Sequence, residues 1–171
     1  RWSPGCSWPH QDFEKWRNDN KSDFSKMDEL RKAFLRKFPP ESLQNLPIER
    51  YVVGQGNKDT FCYWLETRLK DLGNIKGGTT AGNKFGIYFG VTKNDKNKEY
   101  RFPSKYGSSK DEAYEQVKSA LTELLAAGGN KNYATIQENL LSPMFKGKIL
   151  ATYFPNDYLN VFSREHVKYF L

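Results

Sequence analysis

The sequence predicts an α+β domain, and three observations carry that reading. Apolar residues recur at helical spacing in several separate stretches. One segment, KFGIYFGV (84–91), alternates with period two, and a polar turn then leads to a second short β-prone run. The expected order is helix, helix, hairpin, helix, strand, helix, which suits a small mixed or antiparallel sheet with a central hairpin packed against several helices.

The first helix is expected over 23–37. Ser22 stands as its cap, Met27, Leu30, Phe34 and Phe38 share one face, and Pro39-Pro40 stops it. After a connection over 41–58, a second helix is expected from 60 to 72. Asp59 or Thr60 caps it, Phe61, Trp64, Leu65, Leu69 and Leu72 line it, and Gly73 closes it. The Gly/Thr-rich stretch 77–82 reads as a loop. In the strand that follows, Phe85, Ile87, Phe89 and Val91 take one face, and Gly86, Tyr88 and Gly90 the other. Residues 93–97 turn the chain into a partner strand near 98–103.

Ser109 and Glu112 have the spacing of a capping box for a helix over 110–127. Its stripe is Tyr114, Val117, Leu121, Leu124 and Leu125, and Gly128-Gly129 is its expected end. A shorter helix near 131–141 follows. KILATYF (148–154) reads as a strand broken at Pro155, and Ser163 opens a last helix. Residues 1–9 are set aside as an artificial or disordered start, and 10–171 form one recognition domain.

Composition narrows the function classes. The chain of 171 residues is 37% hydrophobic and 27% charged, which suits a globular fold. No apolar run is long enough to span a bilayer, so no membrane role is expected. Cys6 and Cys62 are too few for a disulfide framework and point to the cytoplasm. With only His10 and His166, no zinc-ligand spacing exists, and neither metal nor cofactor is expected. Lys+Arg 27 against Asp+Glu 20 gives a formal net charge of +7, which favours polyanionic partners.

That charge is concentrated. Lys76, Lys84, Lys93, Lys96, Lys98, Arg101 and Lys105 fall between 74 and 108 against only Asp95 and Glu99, interleaved with Tyr88, Tyr100, Phe102 and Tyr106. Cations contact phosphates, and aromatic rings stack on bases. The same pattern also suits a solvated hairpin whose edges lysines guard against aggregation. Lys146 and Lys148 are further candidate phosphate contacts. Tyr88 is the first candidate for a pocket holding an extruded base, because its glycine neighbours leave space beside it; Trp64 and Tyr153 follow, although both lie in apolar patterns.

GGTTAGNK (77–84) imitates a phosphate-binding P-loop, but Asn83 stands where the lysine belongs and Phe85 where the magnesium-binding hydroxyl belongs. No arrangement suggests a catalytic triad, and Asp95 and Glu99 read as turn residues, so no enzymatic activity is expected in this chain.

Several spaced motifs carry a resemblance: FCYWLE (61–66), LGNIKGG (72–78), KFGIY (84–88), KYG (105–107) and SPMFKGKILATYFPNDYLNVFS (142–163). Together they resemble the N-terminal segments of bacterial McrB-like AAA+ proteins, the motor subunits of methylcytosine-dependent and related restriction systems. The resemblance covers roughly 24–171. It implies a double-stranded DNA reader in restriction or phage defence, one that sometimes flips a modified base. It also implies that an AAA+ GTPase domain and a nuclease subunit do the cutting. The alternatives are a small metal-dependent nuclease and a protein-interaction domain.

Overall fold

The computed structural model describes residues 15, 19, 21–77 and 79–159. Helices make most of it, beside one two-stranded antiparallel sheet, which is an α+β fold. The expected final helix at Ser163 lies outside the described residues. Among those residues, no helix is long and apolar enough to cross a membrane.

Helix α1 (Lys21–Lys37) stops before Pro39-Pro40, as the missing N–H of proline demands. Its inner face seats Phe34 in the core, whereas Leu30, expected on the same stripe, is exposed. The stretch expected as plain connection holds two short helical turns, a 3-10 turn Pro40–Asn45 and α2 (Ile48–Tyr51). Pro39 and Pro47 precede them in extended backbone that proline favours. The helix expected over 60–72 has both expected ends. Thr60 Oγ1 accepts from the Tyr63 N–H at 3.4 Å, and Gly73 ends it at φ 98°. Between them the coil changes pitch, from α3 (Phe61–Tyr63) to a π turn Trp64–Arg68 and then a 3-10 turn Lys70–Leu72.

The strand expected over 84–91 is shorter than its alternation suggests. Thr80 caps a five-residue helix, α4 (Ala81–Phe85), and only Tyr88–Gly90 forms β1. Gly86 makes the switch at φ +83°, where a Cβ would stand 2.6 Å from Val117 Cγ2. Phe85 and Ile87 are thus both buried, but by a helix end and a link rather than by one sheet face. The hairpin itself forms as expected. Strand β1 pairs antiparallel with β2 (Glu99–Arg101), in the register Tyr88↔Arg101, Phe89↔Tyr100 and Gly90↔Glu99.

Beyond a 3-10 turn at Ser104–Tyr106, α5 (Lys110–Gly129) is the central helix. Ser109 caps it by accepting from the Glu112 N–H at 3.2 Å, while the Glu112 carboxylate reaches back to Ser108 instead of completing the box on Ser109. All five expected stripe residues are buried. Gly128-Gly129 continue the helix instead of ending it, because Gly128 lets Leu150 and Phe154 press against its backbone. Helix α6 (Tyr133–Glu138) is shorter than expected.

The expected strand at 148–154 is the second half of a helix, α7 (Pro143–Tyr153), with Ser142 as cap and Pro143 in its first turn. A short apolar run does not distinguish a strand from a helix buried on most sides, and α7 buries Phe145, Ile149, Leu150 and two lysines.

The core is strongly aromatic. The Phe61 ring lies 5.4 Å from both Phe34 and Phe38, stacks on Tyr51 at 5.7 Å and meets Phe145 edge-on at 6.4 Å. Such pairs contribute about 0.5–1.5 kcal/mol each beyond burial. The hydroxyls of Tyr51 and Tyr114 reach the carbonyls of Phe85 and Leu46, both at 2.7 Å, so these rings enter the core with their polar tips satisfied.

Candidate nucleic-acid interface

The hairpin turn is a folded structure in its own right. Thr92 N–H donates to the Asp95 carbonyl at 2.8 Å, Asp95 N–H to Thr92 Oγ1 at 3.0 Å, and Asn97 N–H to the Asp95 carboxylate at 2.9 Å. Arg101 staples this turn from the strand, its guanidinium 2.5 Å from Asp95 and 2.6 Å from Glu99. That contact holds the Asp95 carboxyl below its ordinary range. Both carboxylates are therefore engaged by one guanidinium, as turn residues.

With the acids so occupied, the turn presents lysines. Lys93, Lys96 and Lys98 are exposed; Lys96 makes one long bond to the Thr92 carbonyl at 3.4 Å, and no described side chain pairs with Lys93 or Lys98. Lys76 is exposed in the segment after Gly73. Lys105 also reaches the surface, although its ammonium bonds the Leu140 carbonyl at 2.9 Å and lies over the Tyr106 ring.

Four of the expected phosphate contacts serve the fold instead. Arg101 is the turn staple just described. Lys84 is 2% exposed and its ammonium meets Glu66 at 2.7 Å, the carboxylate that the π turn brings round to it. Lys146 is buried against the end of α6, bonding the carbonyls of Ile136, Gln137 and Asn139 at 2.7, 2.9 and 3.1 Å. Lys148 is fully buried and bonds Leu69, Leu72 and Gly73 at 2.5, 2.8 and 2.8 Å, where the helix begun at Phe61 runs out of partners. Terminal carbonyls are the groups a helix cannot satisfy for itself, and an ammonium also suits the negative end of its dipole. Burial pushes the amines of both Lys146 and Lys148 down, Lys148 to about 8.

The expected base pocket is also revised. Trp64 is 6% exposed, gives its Nε1–H to Asp59 at 2.7 Å, and lies under Arg68 at 4.7 Å. Tyr153 packs edge-on against Phe34 and donates its hydroxyl to the Phe38 carbonyl at 2.6 Å. Trp64 is thus sealed in the core, whereas Tyr153 is half-buried with its hydroxyl committed to the backbone. Tyr88 is half-buried, its ring lying by Gly82 and Gly90, but Gly86 faces Val117 and Tyr106 in the interior and opens nothing beside it. The imitation P-loop runs into α4 rather than directly into a strand.

One part of this surface was hidden in the stretch taken as connection. Residues 53–55 lie against the hairpin, with the Val53 carbonyl accepting from the Phe89 N–H at 3.0 Å. Gly54, at φ +105°, passes so close that a Cβ there would fall 1.7 Å from the Phe89 carbonyl oxygen. Gln55 then reaches Tyr100 on β2, with Nε2 2.8 Å from the hydroxyl. Lys58 is exposed farther along this loop, and the exposed Lys110, paired with Asp111 at 3.1 Å, has its ammonium 5.5 Å from the Tyr100 ring centre. The signal available in the sequence was the run Gly54-Gln55-Gly56-Asn57-Lys58, polar and bracketed by glycines.

No family model matches this chain, and no curated protein or solved structure proved similar to it. The chemistry of the surface therefore carries the functional argument.

Proposed function

We propose that this chain is a duplex-DNA recognition module that holds the phosphate backbone on its lysine-bearing hairpin turn. The observation that carries the reading is the separation of two kinds of cation. Arg101, Lys84, Lys146 and Lys148 are consumed inside the fold, whereas Lys93, Lys96 and Lys98 stand exposed on a turn whose two carboxylates are engaged by Arg101. A positive surface of this kind attracts a polyanion and binds it by counterion release.

The resemblance of the spaced motifs to McrB-like N-terminal segments supports a more specific setting. In it, the module selects a DNA site for a separate AAA+ motor and nuclease in a restriction or phage-defence system, and catalyses nothing itself. Such a reader works in the cytoplasm, where a free buried thiol such as Cys62 stays reduced. If an extruded base is read, Trp64 is excluded by burial, and of the two half-buried candidates, Tyr88 and Tyr153, Tyr88 is the one that stands on the hairpin.

The test is a salt titration of binding to a fluorescent duplex. About four phosphate contacts give a log–log slope near −3.6. A slope near zero, or no binding at low salt, overturns the reading. Salt-insensitive capture of a protein partner, with no DNA binding, supports an interaction domain in its place.

A further inference from the structure

Gln55 is an exposed side chain held in a fixed orientation. Gly54 and Gly56, both at positive φ, set the backbone on either side of it, and Gly54 is pressed against β1. Its amide nitrogen lies 2.8 Å from the Tyr100 hydroxyl, which in turn lies 3.5 Å from the Glu49 carboxylate. In this geometry the hydroxyl accepts from Gln55, with the Glu49 carboxylate at the outer limit of hydrogen-bond distance on its other side. The Tyr100 ring is itself anchored, edge-on to Phe89 at 5.2 Å. An ordinary surface glutamine samples many rotamers and loses that freedom on binding; the bond to Tyr100 restricts the rotamers open to this one.

One Nε2 proton is spent on Tyr100. The second Nε2 proton and the carboxamide oxygen remain, and together they form a donor–acceptor pair. Adenine presents the matching pair in the major groove, N7 as acceptor and the N6 amino group as donor, and glutamine meets it with two hydrogen bonds. The setting suits that approach, because Lys98 stands exposed two residues before Tyr100 and the Lys110 ammonium, which also pairs with Asp111 at 3.1 Å, lies 5.5 Å from the Tyr100 ring centre, and such cations meet phosphates flanking a groove.

Building on the proposed duplex-DNA binding, we propose that Gln55 is a specificity-determining residue that reads an adenine in the major groove, with Tyr100 as its positioning residue. The lysines supply affinity without sequence information; Gln55 supplies the discrimination. N6-methylation replaces the groove-facing proton of the adenine amino group, so a methylated site is read as a wrong base.

The experiment selects preferred sites from a randomised duplex library with the wild-type chain, then measures binding to the selected duplex, to one carrying 7-deazaadenine and to one carrying N6-methyladenine. Each change at the read adenine should weaken binding roughly 5- to 100-fold. Gln55→Ala should bind all of these duplexes equally, with an unchanged salt slope and an unchanged melting temperature. Tyr100→Phe keeps the ring but frees the amide, and should weaken the adenine preference while leaving non-specific binding intact. If Gln55→Ala retains the wild-type preference, or 7-deazaadenine has no effect at any selected adenine, this inference falls and duplex binding stands. If the wild-type chain binds no duplex at low salt, the proposed function falls, and this inference with it.

Discussion

The ammonium of Lys148 lies 2.5 Å from the carbonyl oxygen of Leu69, a residue 79 positions away in the chain. Together with the bonds to Leu72 and Gly73, this contact ties α7 to the end of the helix that begins at Phe61. A lysine inside an apolar segment thus bonds three backbone carbonyls at a helix end and does not stand among the exposed cations.

Replacing Lys148 by Met keeps the stem and removes the charge. The three carbonyls then lose their donor in a buried site, which should lower stability by roughly 1–3 kcal/mol. Chemical denaturation measures this directly. The slope of DNA binding against salt should not change in the folded fraction; a reduced slope with full stability would return Lys148 to the interface.

Stability should also depend on pH above neutrality, with two opposing signs. Burial pushes Lys148 down to about 8 from its ordinary 10.5, with Asp71 opposing. Between those values the unfolded chain binds more protons than the folded one, so this group adds stability as pH rises through that window. Burial raises Tyr106 to about 12 and drives Tyr51, Tyr114 and Tyr153 well above their ordinary 10. These tyrosines keep their protons in the fold where unfolded ones ionise, so their contribution is complete below pH 10 and is lost above it. Melting temperatures across pH 7–11 should show the alkaline decline in both wild type and Lys148→Met. The gap between the two should widen in favour of the wild type from pH 8 towards 10; parallel curves over that range would contradict the assignment to Lys148.

The hairpin lysines separate binding from folding. Substituting Lys93, Lys96 and Lys98 together with Ala should reduce the magnitude of the salt slope by about 2.7, three contacts at ~0.9 each, and weaken all sequences alike. Exposed positions of this kind change stability by only about 0.5 kcal/mol each. Arg101→Ala should behave differently, releasing Asp95 and Glu99 and loosening the turn, which amide exchange at residues 92–98 would record. Unaltered binding in the triple variant would move the DNA face elsewhere.

The two glycines around Gln55 should differ sharply. A Cβ at Gly54 would meet the Phe89 carbonyl oxygen at 1.7 Å, so backbone must move as well as adopt an unfavourable φ. Gly54→Ala should cost roughly 3 kcal/mol from overpacking and strain combined. At Gly56 the space is open, and only the positive φ of 84° resists, at about 1 kcal/mol. Equal losses in the two variants, read by thermal melting, would show that the loop does not rest on β1.

Much of the fold was legible because its signals are local. Pro39-Pro40 ends α1, Thr60 and Gly73 bound the second helical segment, Ser109 caps α5, and the turn between β1 and β2 follows from its polar residues. Each depends on the preferences of a few adjacent residues. The two misread strands share one cause as well. KILATYF and KFGIYFGV are short apolar runs that fit a strand or a buried helix equally, and the choice rests on what packs around them. In α7 the environment is apolar on most sides, so no 3.6-residue stripe is left to read.

The sequence by itself determined the α+β class, the end of α1 at Pro39-Pro40, the bounds of the segment from Thr60 to Gly73, the Ser109 cap of α5 and the excess of positive charge around the hairpin. Only the tertiary structure decided which charges remain for a partner. Lys84, Lys146 and Lys148 are indistinguishable from surface lysines in the sequence, because a lysine's side chain is the same whether its ammonium meets water, a phosphate or a carbonyl from a distant helix end. Their partners are Glu66 and the carbonyls of residues 69–73 and 136–139, brought to them by folding alone. The same holds for Gln55, an unremarkable residue until the hairpin places the Tyr100 hydroxyl against its amide. Propensity acts between neighbours in the chain, whereas the pairing of a charge or a polar group is settled by groups that meet only in three dimensions.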